Sequence, residues 1–248
     1  QVFNSDSEMY AFHPDIIVLF LSSHKLLNKY NKLKVEQQSS LATREIENIE
    51  AIVANISSNS TAKIIYYNYN EIDDAVFGSF ATKTETSFLY QLRKLNFELM
   101  HIANRNTNFY ICDLASIQNQ VGRANFFHTS VYISTEMVVS LNVLPLVAQK
   151  TVDILKVLNG KLKKCVILDL DNTVWGGIIG DDGIENIQIG SLGIGKAFTE
   201  FQYWIKKLKN RGIIVAVCSK NSESIAKEPF EKHPDMVLRL EDISVFMA

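Results

Sequence analysis

Asp169 and Asp171 stand two residues apart at the end of the apolar run Cys165-Val166-Ile167-Leu168. In an extended strand, residues i and i+2 share a face, so this spacing predicts two carboxylates projecting side by side from a strand end. Such neighbours repel one another and lose hydration unless a cation or a shared proton relieves them. The pair suits phosphoryl transfer through an aspartyl-phosphate. One carboxylate attacks phosphorus, and the other protonates the leaving oxygen and then activates water. Mg²⁺ would neutralise the crowded anions and clamp the phosphoryl oxygens. Thr173 would fix the following loop through its hydroxyl. A second apolar run, residues 213–218, delivers Ser219 as a donor to a phosphoryl oxygen, with Lys220 and Asn221 adding polar groups at the same rim.

Two such strand ends meet only if parallel strands lie side by side, at the crevice where open α/β sheets bind ligands. The rest of the chain has that rhythm, with abrupt apolar runs alternating with helical patterns. Residues 16–21, after Pro14, form a continuous apolar run that predicts a strand buried on both faces. Residues 41–56 carry Ile46, Ile49, Ile52, Val53 and Ile56 at helical spacing, with Thr43 and Glu45 near the start. Strands are expected at 63–67 and 108–114, a helix at 87–103, and a helix over 135–158 interrupted by Pro145 and stopped by Asn159-Gly160. The pattern then restarts with a strand at 164–170, a helix at 196–209 and the strand at 213–218. The expected fold class is α/β: two Rossmann-like three-layer α/β/α domains with mostly parallel sheets, divided near residue 159.

The 248 residues suffice for two such cores, and 47% apolar with 21% charged residues is ordinary for a globular chain. A formal net charge of −2 gives no bulk attraction to nucleic acid or to an anionic membrane, so neither is an expected partner. Three scattered cysteines without a CxxC pair argue against a disulfide framework or a zinc site and predict a reducing, cytoplasmic setting. No apolar run approaches the ~18 residues that span a bilayer. The chain starts at Gln1 and stops soon after an apolar run, so it is expected to be a fragment.

The run Leu168-Asp169-Leu170-Asp171-Asn172-Thr173-Val174-Trp175-Gly176-Gly177-Ile178-Ile179-Gly180-Asp181-Asp182-Gly183, then Cys218-Ser219-Lys220-Asn221, Glu228-Pro229-Phe230 and His233-Pro234, resembles the FkbH-like branch of the haloacid dehalogenase (HAD) superfamily. The resemblance covers roughly residues 160–248 and implies that Asp169 is nucleophile and Mg²⁺ ligand. It also implies that Asp171 is the general acid/base and offers its backbone carbonyl to the metal, while Ser219 orients the phosphoryl group. The family also uses a lysine and a further acidic motif beyond the CSKN strand. Lys220, Lys227 and Lys232 lie too close to Ser219 to replace that lysine, so the 160–248 domain is expected to be incomplete at its C-terminus and to turn over poorly by itself. FkbH-like proteins often carry an N-terminal α/β/α domain similar to SGNH hydrolases, which is the expectation for residues 1–159. Its strand at 16–21 leads into Ser22-Ser23-His24-Lys25 instead of a Gly-x-Asn-Asp block, and His128 has no DxxH partner. A scaffold or carrier-docking role is therefore expected there instead of a Ser-His-Asp triad.

The implied activity is a Mg²⁺-dependent phosphatase or phosphotransferase acting on a small phosphorylated metabolite. An alternative is glyceryl transfer from an acyl phosphate to the thiol of an acyl carrier protein, with Cys218 as acyl acceptor. Cys218 has a plainer reading as a small buried hydrophobe, and its activation would call on His233 or Lys220. Trp175 is either a lid that shields the site from water or a packing residue. Two other matches fail. The DxDx start lacks the glycine and glutamate of a calcium loop, having Val174 and Gly180 there. Gly190-Ser191-Leu192-Gly193-Ile194-Gly195-Lys196 spells GxxxxGK, but Ala197 follows without the hydroxyl a nucleotide P-loop needs, so a flexible cap to the next helix is expected. A last alternative is a non-catalytic interaction module.

Overall fold

The computed structural model describes residues 1–248, which divide into two compact units, Gln1–Gly160 and Lys161–Ala248. Each is built on a three-stranded parallel sheet flanked by helices, a mixed α/β architecture consistent with two Rossmann-like domains.

In the first unit β1 (Ile16–Phe20), β2 (Lys63–Tyr67) and β3 (Phe109–Cys112) run in that spatial order, with Ile17 opposite Ile64 and Ile65 opposite Tyr110. The central strand reads as an unbroken apolar run because both its faces are covered. Ile64 and Tyr66 join the core under the helices Leu41–Asn59 and Phe88–Arg105, with Ile49, Ile56, Leu92 and Leu99. Ile65 and Tyr67 face the opposite way, toward Leu114, Ile117, Phe126 and Val143. Alternation along one strand thus feeds two cores, with one helical layer on each face.

Two expectations change here. β1 is an edge strand, and only Ile17 is buried along it, whereas Val18 is 51% and Phe20 47% exposed. A continuous apolar run therefore did not mean burial on both faces. Of the helical stretch expected over 135–158, residues 144–158 form the helix Leu144–Leu158, while the preceding helix, Thr129–Thr135, ends where the stretch was expected to begin. The earlier helix is capped by Glu136, in the left-handed region at φ 58°, and Pro145 lies in the first turn of the later one. Proline lacks the N–H that an opening turn leaves unbonded and has its φ preset for a helix, so it starts this element instead of interrupting one.

The second unit orders β4 (Cys165–Leu168), β5 (Ile214–Cys218) and β6 (Val245–Met247), all parallel, with Cys165 opposite Ile214 and Cys218 opposite Met247. Its core gathers Leu168, Leu170, Val174, Trp175, Ile205, Val215, Val217, Phe230 and Leu238. β4 stops at Leu168, two residues short of the expected strand, so both aspartates lie beyond it.

A buried amide ties the elements together. Gln202, on the helix Gly195–Asn210, donates from Nε2 to the Val174 carbonyl at 2.8 Å and accepts at Oε1 from the Val237 and Leu238 N–H groups at 2.9 and 3.0 Å. The glycine-rich loop before that helix is fastened at its two ends. Gly190 exchanges hydrogen bonds of 3.0 Å with the Thr199 hydroxyl in both directions. A Cβ at Gly195 would stand 2.9 Å from the Ile189 backbone, so glycine serves a close approach there.

Candidate active site

The chain leaves β4 and turns at once. Leu170 is fully buried, and its carbonyl accepts from the Thr173 and Val174 N–H groups at 3.1 and 2.8 Å. Asn172 takes the left-handed conformation at φ 55°, which asparagine tolerates because its short side chain bonds locally. Its Oδ1 accepts from the Gly177 N–H at 3.0 Å while its own N–H reaches the Gly177 carbonyl at 3.3 Å. Val174 and Trp175, both fully buried, then pin the turn to the core. The adjoining hairpin is closed by paired hydrogen bonds between Gly176 and Gln188, of 3.0 and 2.8 Å.

This turn gives the two carboxylates different surroundings. Asp169 is exposed and accepts a single hydrogen bond, at Oδ1 from the neighbouring Leu170 N–H at 2.8 Å. Asp171 is half-buried and accepts three. Its Oδ1 takes the Trp175 indole N–H at 3.1 Å and the Ile179 backbone N–H at 3.1 Å, and its Oδ2 takes the Asn221 amide at 2.8 Å. Asn221 comes from the loop after β5. That strand's exit is set by β6, since the Ser219 N–H donates to the Met247 carbonyl at 2.8 Å. The Ser219 hydroxyl in turn accepts from the Asn221 N–H at 3.2 Å and from its Nδ2 at 3.3 Å. Asp171, Asn221 and Ser219 therefore form one hydrogen-bonded cluster across neighbouring parallel strands, with Asp169 at the mouth of β4.

The remaining candidates stand outside that cluster. Thr173 is half-buried and bonds through its backbone alone, so its hydroxyl does not fix the loop; Asn172 does. Lys220 is exposed and forms no ion pair. Cys218 is exposed at the end of β5, which overturns its reading as a small buried hydrophobe. His233, a candidate with Lys220 to activate it, accepts at Nδ1 from the Asp235 N–H at 3.2 Å in a local turn. Trp175 is no lid, since its ring is wholly enclosed and meets Phe230 edge-on at 5.8 Å between centroids. Asn172, Ile179 and Gln202 are parts of the site that the sequence did not single out. Only Asn172, flanked by the DxD pair and a Gly-Gly, carried a local turn signal.

No three His, Cys, Asp or Glu side chains converge as a closed cation cage. The oxygen donors at the β4 exit suit Mg²⁺, which takes one or two carboxylates from a protein and keeps waters and phosphate oxygens for its other positions. Asp169, with one oxygen unbonded, is the carboxylate able to serve it.

In the first unit Ser23 is buried and donates to Asn70 Oδ1 at 3.0 Å. His24 lies between Phe127 and Tyr132 at 4.6 and 4.3 Å, where burial pushes its pKa down. His128 is exposed at the start of the helix Thr129–Thr135. No Ser–His–Asp relay links these side chains.

The fold and the strand-end cluster define a two-unit α/β protein with a carboxylate–amide–hydroxyl site at the C-terminal ends of parallel strands. Residues 1–156 match the family model described as FkbH, N-terminal domain, and the chain belongs to that family. Among solved structures it is similar to the crystal structure of the N-terminal part of the protein BF1531 from Bacteroides fragilis, containing a phosphatase domain complexed with Mg. The two share 53% identity with a TM-score of 0.90. The match covers 100% of this chain and 65% of that one, so this chain spans a little under two thirds of that relative. A comparison with curated proteins finds no match. No helix is long and apolar enough to cross a membrane.

Proposed function

We propose that the second unit is a HAD-type, Mg²⁺-dependent phosphatase site that works through an aspartyl-phosphate on a small phosphorylated metabolite. One observation carries this reading. Of two carboxylates two residues apart, one is exposed and nearly unbonded while the other is held by three donors beside a serine hydroxyl. A nucleophile needs free lone pairs and access, whereas an acid/base needs a fixed direction.

In this mechanism a carboxylate oxygen of Asp169 attacks phosphorus, the bond from phosphorus to the leaving oxygen breaks, and Asp171 gives that oxygen a proton. Asp171 then takes a proton from water as the water oxygen attacks the aspartyl-phosphate. The bond between Asp169 and phosphorus breaks, releasing inorganic phosphate and restoring the Asp169 carboxylate and the protonated Asp171. Ser219 donates to a phosphoryl oxygen throughout. Mg²⁺, when bound, supplies charge neutralisation for the phosphoryl group. The Mg-complexed phosphatase-domain relative supports this reading.

A second reading is favoured by the exposure of Cys218 next to Ser219. There the substrate is an acyl phosphate: the thiol of an acyl carrier protein takes the glyceryl group as a thioester, the bond from the acyl carbon to the phosphate oxygen breaks, and inorganic phosphate leaves as the thiol proton passes to solvent. The first unit, of the FkbH N-terminal family, would serve as an SGNH-like docking scaffold. Incubating the protein with labelled glyceryl phosphate anhydride, Mg²⁺ and a carrier protein separates the two. Free acid and phosphate alone are expected from the phosphatase, labelled carrier from the transferase. Release of neither product would sink both.

A further inference from the structure

We propose that Asn221 sets the hydrogen-bond polarity of the site, making Ser219 an obligate donor and leaving Asp171 one open lone pair, so that it positions these groups instead of binding phosphate itself. The inference rests on the phosphatase reading above. It follows from an inventory of donors and acceptors. A primary amide has two N–H bonds, and Asn221 directs its Nδ2 at Asp171 Oδ2 at 2.8 Å and at Ser219 Oγ at 3.3 Å. Its backbone N–H adds a second bond to Ser219 Oγ at 3.2 Å. A hydroxyl oxygen offers two lone pairs, and both are now filled. The Ser219 proton is the group's only remaining hydrogen-bonding capacity, and no acceptor in the chain takes it.

The same inventory fixes Asp171. A carboxylate offers about four lone-pair sites. Two on Oδ1 are held by Trp175 and Ile179, and one on Oδ2 is held by Asn221. The open site is therefore on Oδ2, the oxygen that Asn221 aims, and proton exchange with the leaving group and with water runs through it. Asn221 has no hydrogen left for a phosphoryl oxygen. Its own Oδ1 lies toward Gly180, where an added Cβ would stand 3.6 Å away. Turning the amide over would set that carbonyl against the Asp171 carboxylate, which the electrostatics forbid. The resulting polarity, a donor at Ser219 and a single proton-exchange point at Asp171, matches a ligand whose terminal oxygens only accept and whose bridging oxygen needs a proton. That ligand is a phosphate monoester in its dianionic form.

The test is a double-mutant cycle in the full chain, with p-nitrophenyl phosphate and Mg²⁺ as probe, using Ser219→Ala, Asn221→Ala and the pair, with Asp169→Asn as control. Asn221→Ala is expected to lower kcat about ten- to hundredfold with KM within about threefold, as for a lost positioning donor. Ser219→Ala should cost at least about threefold less in the Asn221→Ala background, since coupled residues are not additive. Additive losses, or a raised KM with unchanged kcat, would overturn the clamp. If Asp169→Asn retains full turnover the phosphatase reading fails, a result separate from the cycle. A readout free of turnover completes the test. Trp175 and Trp204 are the only tryptophans, so their indole N–H resonances in ¹⁵N-labelled protein without metal or substrate are easily told apart. Asn221→Ala and the isosteric Asn221→Asp are expected to move the Trp175 resonance and leave that of Trp204 in place. An unmoved Trp175 resonance overturns the proposal even where turnover is too slow to measure.

Discussion

The indole N–H of Trp175 donates to Oδ1 of Asp171 across 3.1 Å, and the two residues belong to the same tight turn. A large ring sunk in the core thereby orients a group at the surface of the site. Trp175→Phe keeps most of the packing and removes the donor, so kcat on a phosphomonoester should fall about five- to fiftyfold with little change in thermal midpoint. Trp175→Ala should instead destabilise the unit by about 3–5 kcal/mol, because an enclosed aromatic leaves a cavity. Steady-state kinetics beside thermal melts separate the two, and equal kinetic losses without a stability difference would contradict the assignment.

Asp169 is expected to be indispensable to turnover and irrelevant to folding. It is exposed and makes one local hydrogen bond. Asp169→Asn should reduce kcat at least about a thousandfold, in line with removal of a nucleophile, with an unchanged circular dichroism spectrum and melting curve. Residual activity near wild type would mean that another group attacks phosphorus.

Gln202 was invisible as a structural residue from its sequence context, an amide among Phe201, Tyr203 and Trp204 on an amphipathic helix. Its importance comes from contacts about 30 residues away in both directions, which no local pattern encodes. Gln202→Ala would strand one carbonyl and two N–H groups in the core. Urea unfolding should show a loss of about 2–4 kcal/mol. A loss below 1 kcal/mol would show that water replaces the amide.

Asp242 supplies a pH dependence. It is almost wholly buried, and burial alone would raise its pKa. Hydrogen bonds from Lys209, the Arg239 N–H and Lys206 outweigh that and hold it below the usual carboxylate range. A carboxyl whose pKa is depressed in the folded state contributes stability above its unfolded pKa, and that contribution fades as pH falls through the folded value. Denaturant titrations from neutrality to below pH ~4 should therefore show a stability loss that Asp242→Asn flattens. Parallel curves for the two proteins would rule out this residue as a source.

The legibility of the chain follows the range of each interaction. Strands 63–67 and 213–218 and the long helices were readable because apolar period and caps are local, as Ser87 capping the helix Phe88–Arg105 illustrates. Burial was less readable. The apolar run at 16–21 looks like a central strand, but its place at a sheet edge is decided by β2 and β3, far along the chain. Pro145 reads locally as an interruption of a helix, but it lies in the first turn of the helix Leu144–Leu158, and the preceding helix has already ended at Thr135. At the site, residue types were legible and their division of labour was not. Asp169 and Asp171 share one strand-end motif, and only Asn221 and Trp175, reaching one of them, make the two carboxylates differ.

The glutamine staple also bears on local opening. Since Gln202 grips the Val174 carbonyl with one end and the Val237 and Leu238 amides with the other, the turn after Asp171 and the segment entering the last strand share a common fate. Neither frays without exposing the partners of the other, so their amide protons should exchange with solvent as one cooperative group. The precision of the carboxylate turn is thus underwritten by protection against deuterium at positions more than sixty residues downstream.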